Sequence, residues 1–452
     1  MSRRRDRNGP SEPPAIGRVA SLESTADASQ PAADTRAAIR VAWRALWTSR
    51  LVVIAAGILA VLEIGRAPGT TGFYGAGLTA PFGYFGNLLA APLARWDSGW
   101  YLSIAQSGYD HDLMRTAFFP LYPMLVRGLG VIVGSDLIAG VTISLVSFGV
   151  ALVLLYRLAT LELGSASRGR LAVMLIAFCP VAFFFSAVYS ESLFLALSLA
   201  AVLEARMGRW AAAGLLGALG AVERNSGVVL VVPLAIMFLY GPRADRPAAV
   251  RGGAAPRWRR LLPRYAIEPQ IAWIALVPVG MFAYFGYLAL SIGDGLAPLH
   301  AQTLWFHHFA GPFGGVLSGT VAAWDGLRQL IHGSPVPVYF TAAGGDPFAV
   351  AGQNLMLFAF LVLAVCACVG TLRRLPLAYG AYVLAALALP LSDPVTPQPL
   401  ASLPRYEVVL FPFFMWAAAW LEERGWGDSA LAGSAVLLGL FTAMFATWRF
   451  VA

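Results

Sequence analysis

LIAGVTISLVSFGVALVLLY, residues 137–156, is a run of 20 residues without one charged side chain. Wound at 1.5 Å per residue it makes a helix about 30 Å long, the thickness of a bilayer's hydrocarbon core. Comparable runs cover residues 41–64, 118–134, 171–189, 191–206, 210–240, 270–291, 349–371, 375–392, 405–421 and 428–449. The fold class read from them is an all-α polytopic membrane protein of about 11 transmembrane helices, within a range of roughly 10 to 13. Composition agrees: 58% of the 452 residues are hydrophobic and 12% are charged, against about 25% charged in soluble domains. Mean hydropathy is +0.68.

The formal charge of +8 comes from arginines at the N-terminus and between the runs, the pattern of the positive-inside rule and not of a nucleic-acid surface. Three clusters mark the cytoplasmic side. They are Arg3, Arg4, Arg5 and Arg7; the linker 241–268 with Arg243, Arg246, Arg251, Arg257, Arg259, Arg260 and Arg264; and the pair Arg373 and Arg374. Loops 65–117 and 292–348 then lie outside. Residues 1–38 lack apolar periodicity and a cleavage pattern and read as a disordered cytoplasmic tail; residues 39–452 form one membrane domain. The run 210–240 is too long for one straight span and is broken by Glu223, Arg224 and Asn225; a single interrupted span is expected, because two helices would force another span to be re-entrant. Cys179, Cys366 and Cys368 sit in apolar runs, without partners for a disulfide framework or a tetrahedral metal site. The absence of lysine beside abundant alanine, glycine and arginine looks like codon bias in a GC-rich bacterium. The expected location is a bacterial plasma membrane.

The chemistry concentrates in the outer loops. ARWDSGWYLSIAQSGY, residues 94–109, sets Asp97 among Trp96, Trp100 and Tyr101, with Tyr109 at its end. Aromatics at an interface restrict water, and a partly desolvated carboxylate is the group a general base requires when a sugar hydroxyl must lose its proton. The competing reading is an acid that caps the helix beginning at Ser98. FFPLYP, residues 118–123, stands at the mouth of the next run, where Pro120 and Pro123 withdraw two N–H donors and Phe118, Phe119 and Tyr122 are candidates to line a path for a prenyl chain.

In the second outer loop Asp294, His300, Gln302, Trp305 and His307 combine hydrogen bonding with stacking, the pairing that sugar sites need. Adjacent His307 and His308 point apart and have no third ligand at motif spacing, so no metal is expected. Arg405, in Pro404–Arg405–Tyr406–Glu407 at an outer span mouth, runs against the positive-inside bias and suits a phosphate. Arg224 is a weaker candidate for the same role. The break Tyr189–Ser190–Glu191–Ser192 reads equally well as a helix cap led by Ser190.

RWDSGWYLSIAQSGY, AFFPLYP, FFFSAVYSESLF, ERNSG, GDGLAPLHAQTLW and PRYEVVLFPFF, spread over about residues 94–415, resemble the PIG-V mannosyltransferases of the GT-C glycosyltransferases. The resemblance implies a GT-C type bundle with a large first outer loop. It also implies transfer of mannose from a polyprenyl-phosphate carrier on the outer face, with Trp96 and Asp97 matching the family's first-loop pair. Expected donor- and acceptor-binding residues are Trp96, Trp100, Tyr109, Tyr122, His300, Gln302, Trp305, Arg405 and Tyr406, with Asp97 catalytic and no cofactor. The partners would be the lipid donor, a membrane-associated glycan, lipid or protein acceptor, and the bilayer, with no nucleic acid. The linker 241–268 and the tail have no counterpart in the family. A lipid or small-molecule transporter is the rival reading, and would require a paired, gated Glu223–Arg224 site. A ligase or polymerase of prenyl-linked glycans, which moves a whole glycan, is the enzymatic rival.

Overall fold

A computed structural model describes residues 20–67, 75–246, 262–341 and 345–451. The N-terminal arginines and Arg251, Arg257, Arg259 and Arg260 of the linker lie outside the described residues. The described chain is helical. In order the helices are α1 (Ala20–Glu63), α2 (Ala76–Thr79), α3 (Tyr84–Ala90), α4 (Ser98–Ser107), α5 (Leu121–Val133), α6 (Asp136–Leu163), α7 (Ala166–Ala177), α8 (Glu191–Arg206) and α9 (Trp210–Glu223). They continue with α10 (Val231–Tyr240), α11 (Leu276–Ser291), α12 (Ala297–Leu304), α13 (Gly314–His332), α14 (Pro347–Arg374), α15 (Leu377–Ser392), α16 (Leu403–Val408), α17 (Phe411–Glu422) and α18 (Gly427–Ala446). Among the described residues five helical segments are long and apolar enough to cross a membrane: Thr35–Glu63, Asp136–Leu163, Pro269–Ser291, Pro347–Arg374 and Gly427–Ala446.

Local chemistry sets the ends of α6. Gly134 closes α5 in the left-handed region (φ 78°) and Ser135 caps α6, accepting from the Ile138 amide; Gly164 (φ 63°) and Ser165 repeat the device between α6 and α7. Glycine takes the left-handed turn without a Cβ clash and serine satisfies a first-turn amide, so each Gly–Ser pair reverses the chain tightly.

Ion pairs define one pole of the bundle. Glu162 meets Arg206 at 2.6 Å, Arg168 meets Glu422 at 2.7 Å, and Arg374 meets Glu423 at 2.6 Å. The Ala244 amide donates to the Arg206 carbonyl at 2.8 Å. The C-terminal ends of α6, α8, α14 and α17 and the start of the linker therefore share this arginine pole, and Asp136 lies at the far end of α6.

Two expected spans take a different form. The Tyr122 hydroxyl donates to the Gly140 carbonyl at 2.9 Å and lies 2.8 Å from Ser144 Oγ, and Gly130 lies against the Asp136 carboxylate. So α5 runs antiparallel to only the first part of α6, within the half of the bundle away from the arginine pole, and 118–134 does not cross it. Residues 210–240, expected as one interrupted span, form a hairpin. α9 rises from the arginine pole, a 3-10 turn at Asn225–Leu230 reverses the chain, and α10 returns until Phe238 meets Trp210 at 4.7 Å between ring centroids. Gly227 is pressed on the Gly220 backbone, where a Cβ would strike the carbonyl, so the reversal demands glycine.

The segments leading between the arginine pole and the opposite half are then α1, α6, α7 with 178–190, α8, α9, 225–240, 269–291, α14, α15, α17 and α18. The irregular stretch 178–190 is tied to α1 by one arginine. Buried Arg50 donates to the Ala182 carbonyl and Ser186 Oγ at 2.8 Å each and to the Ala177 carbonyl at 3.1 Å. An interrupted helix inside an apolar bundle requires such a donor.

Candidate functional site

The site begins where the first outer loop enters α4. Trp96 has φ 52°, in the left-handed region, at a cost of about 1–3 kcal/mol for a residue with a Cβ. Its ring is held against Trp448 and Phe450, with centroids at 5.7 and 6.3 Å. Neighbouring Arg95 donates to the Ala446 carbonyl at 3.1 Å. The strained turn is thus braced by the chain after α18, and it directs Asp97 inward.

The Asp97 side chain does not cap α4, which removes the capping reading. Its carboxylate instead pairs with Arg405 Nη1. The Arg405 Nε donates to Glu191 Oε1 at 2.9 Å, so one guanidinium spans two acids. Its face lies 4.7 Å from the Tyr189 ring centroid. The Tyr189 hydroxyl accepts from the Asp97 amide at 3.1 Å and donates to the Arg95 carbonyl at 3.3 Å.

Glu191 opens α8 and is fully buried. A second guanidinium, Arg224 at the tip of the α9 hairpin, brings Nη1 to 3.8 Å from the same Glu191 oxygen. Arg224 lies over Tyr406 and Phe194, at 4.9 and 5.4 Å from their centroids. Its Nη1 has no hydrogen-bond partner among the described residues, nor does Glu191 Oε2. Three polar interruptions that look unrelated along the chain, at 189–192, 223–225 and 404–407, therefore meet at one place opposite Asp97. The Asp97 carboxylate is 27% exposed and Arg405 12%, so the network is reached from the Asp97 side.

Residues 82–240, which carry Asp97, Tyr189, Glu191 and Arg224, match the family model described as Mannosyltransferase (PIG-V). That segment is similar to the PIG-V mannosyltransferases. The chain is 35% identical over 155 residues to GPI alpha-1,6-mannosyltransferase 2 of Cricetulus griseus, covering 32% of this chain and 31% of that protein. It is 31% identical over 222 residues to the Mus musculus protein of the same description, covering 46% of this chain and 43% of the relative. GPI mannosyltransferase 2 of Drosophila pseudoobscura pseudoobscura is 29% identical over 177 residues, 35% of this chain and 38% of the relative. The chain thus spans less than half the length of these curated relatives. Arg405 and Tyr406 lie beyond the PIG-V segment, and the fold returns them to it.

Other residues expected at the site are placed around it. Trp100 stacks on Phe118, with centroids at 5.7 Å and planes at 10°, and meets Trp305 edge-on at 5.2 Å. Trp305 donates to the Met114 carbonyl at 3.2 Å, which joins the two outer loops. The Tyr109 hydroxyl donates to the Phe118 carbonyl at 2.9 Å. Tyr122, on α5, is fully buried against α6, and Phe118 and Phe119 are buried beside it, so these three pack the interior of this segment and do not themselves line an open path. The Tyr101 hydroxyl donates to Ser190 Oγ at 3.0 Å, which gives Ser190 a partner other than the cap expected of it.

His300 and Gln302 are not brought into the ion-pair network. His300 Nδ1 lies 2.7 Å from Asp294 and holds that carboxyl below the usual carboxylate range, while Gln302 donates to the Pro298 carbonyl of its own helix at 3.1 Å. His307 Nδ1 faces the Asp393 carbonyl at 2.7 Å and His308 Nδ1 faces Thr396 at 3.2 Å. Among the described residues no group of three or more His, Cys, Asp or Glu is arranged to hold a metal ion. The residue that sequence reasoning undervalued is Glu191. Its signal in the sequence is an acid between two apolar runs, where a helix cap reads equally well.

Proposed function

We propose that the chain transfers mannose from a polyprenyl-phosphate-mannose donor to a membrane-associated acceptor, on the face of a bacterial plasma membrane opposite the arginine pole. Asp97 is the general base. It takes the proton of the acceptor hydroxyl as that oxygen bonds to the anomeric carbon; the bond from that carbon to the phosphate oxygen breaks, and the electron pair leaves with the polyprenyl phosphate. Phosphate is a competent leaving group, so one acid is enough.

The observation that carries this reading is the bridge from Arg405 to Asp97 and Glu191. A guanidinium beside the base is placed to meet the phosphate as its charge develops. Arg224 stands on the other side of Glu191 and adds a second positive group. Without donor, Arg405 occupies one Asp97 oxygen. A donor phosphate competes for the guanidinium and leaves that oxygen to the acceptor hydroxyl.

The transporter reading called for a Glu223–Arg224 pair, whereas the Arg224 guanidinium faces Glu191, which favours the enzyme. The names of the relatives point the same way. The test is to incubate purified protein with polyprenyl-phosphate mannose and a panel of membrane acceptors and to identify the product by mass spectrometry. A single added hexose supports the proposal. Transfer of a whole glycan would support a ligase, and no transfer to any acceptor would oppose both.

A further inference from the structure

Two cavities flank α5 and share one residue, Arg127. The first is a groove of about 640 Å³ between α4, α5 and α11, walled by Tyr109, Pro120, Pro123, Met124, Tyr284 and Tyr287. The second, about 480 Å³, is polar and lies where α5 turns into α6, with Gln106, Ser135 and Asp136 in its wall. Pro123, Arg127, Gly130 and Gly134 follow one another at helical spacings of three or four, so a single stripe of α5 leads from the groove through Arg127 to the polar pocket. The groove end of that stripe lies level with Gly140–Ser144 and the pocket end with the start of α6. The apolar space is therefore toward the middle of the bundle and the polar space at its edge.

That is the order of a lipid: chain, phosphate, headgroup. Arg127 is 56% exposed, and its nearest acid, Asp136, is 4.0 Å away, beyond hydrogen-bond range, so the guanidinium is oriented but not consumed. The N-terminus of the 28-residue helix α6 opens on the same pocket, and its dipole adds attraction for an anion. Among the described residues Asp136 is the one opposing charge in that wall. The Gln106 amide offers both donors and an acceptor to headgroup hydroxyls.

We infer that this paired groove and pocket binds a membrane phospholipid, its hydrocarbon chain along the wall formed by Met124, Tyr284 and Tyr287 and its phosphate on Arg127. Resting on the mannosyltransferase reading, the site holds the lipid part of the acceptor, while Arg405 and Arg224 serve the donor.

The test is native mass spectrometry of the full chain titrated with dioleoyl-phosphatidylglycerol, dioleoylglycerol and glycerol 3-phosphate. The wild type should bind phosphatidylglycerol at least about tenfold tighter than either fragment, since one lacks the phosphate and the other the chains. Arg127→Ala should lose about tenfold toward phosphatidylglycerol and nothing toward dioleoylglycerol, Arg127→Lys should restore part, and Ala283→Trp should block the groove. Arg328→Ala, remote on α13, is the control. In the transfer assay Arg127→Ala should raise the acceptor KM and leave kcat and the donor KM unchanged. Equal affinity for dioleoylglycerol, tight binding of glycerol 3-phosphate alone, or unchanged binding in Arg127→Ala would overturn the site. An unchanged acceptor KM would overturn its assignment to the acceptor. Arg127-dependent lipid binding without any mannose transfer would instead defeat the enzymatic reading and leave the phospholipid site standing.

Discussion

Arg405 holds the Asp97 carboxylate across 308 positions of sequence, and the same guanidinium holds Glu191. Exposed ion pairs contribute little, but here one partner is fully buried, and a buried carboxylate left without its cation is costly. The pair therefore fixes the Asp97 carboxylate, and under the proposed reaction it positions the base and offers charge to the donor phosphate.

Arg405→Ala should weaken donor binding by about 1.5–3 kcal/mol, the range for hydrogen bonds to charged groups. Arg405→Lys should recover only part, because an ammonium cannot span two carboxylates as a planar fork does. Titration with the lipid-phosphate donor checks both. Unchanged affinity in the two variants would leave Arg405 a structural residue.

Tyr189→Phe removes the hydroxyl that joins the Asp97 amide to the Arg95 carbonyl. One such contact is worth about 0.5–1.5 kcal/mol, so kcat should fall by about two- to tenfold while the donor KM stays near wild type. A change confined to KM would place Tyr189 in donor binding.

Arg50→Ala takes hydrogen bonds from the last carbonyl of α7, at Ala177, and from the Ala182 carbonyl and the Ser186 hydroxyl of the irregular stretch after it. Buried carbonyls left without donors cost about 1–3 kcal/mol each. The thermal midpoint should drop clearly, and Arg50→Lys should be intermediate. A midpoint equal to wild type would show that another donor supports the break.

The orientation of the early helices is open to direct measurement. In a background free of cysteine, Val133→Cys at the α5–α6 turn should react with an impermeant thiol reagent from outside, and Ala166→Cys at the α6–α7 turn should not. The opposite pattern would invert α6 and move Asp97 to the other face.

Much of this was legible in the sequence because lipid imposes long apolar runs, and because Asp97 and Arg405 stand out as charges beside aromatic span mouths. Two readings failed in compensating ways. Residues 118–134 are apolar enough to cross but fold back along α6, since Tyr122 bonds to Gly140 and the Gly134–Ser135 turn is tight. Residues 210–240 turn at Glu223–Asn225 and supply the crossing that α5 does not make. Hydropathy counts apolar length and is blind to where a chain reverses. The convergence of Glu191, Arg224 and Arg405 was hidden for a related reason: helix packing unites residues that no spacing connects.

The most direct test of the central claim is turnover by purified Asp97→Asn. The amide keeps the shape of the side chain and can still accept a hydrogen bond from Arg405, but it cannot take the acceptor's proton. Mannose transfer should fall by about 10² to 10⁴ with donor binding retained, and Asp97→Glu, one methylene longer, should also lose most activity. Near-normal turnover in Asp97→Asn would contradict the account and reduce Asp97 to a partner that positions Arg405.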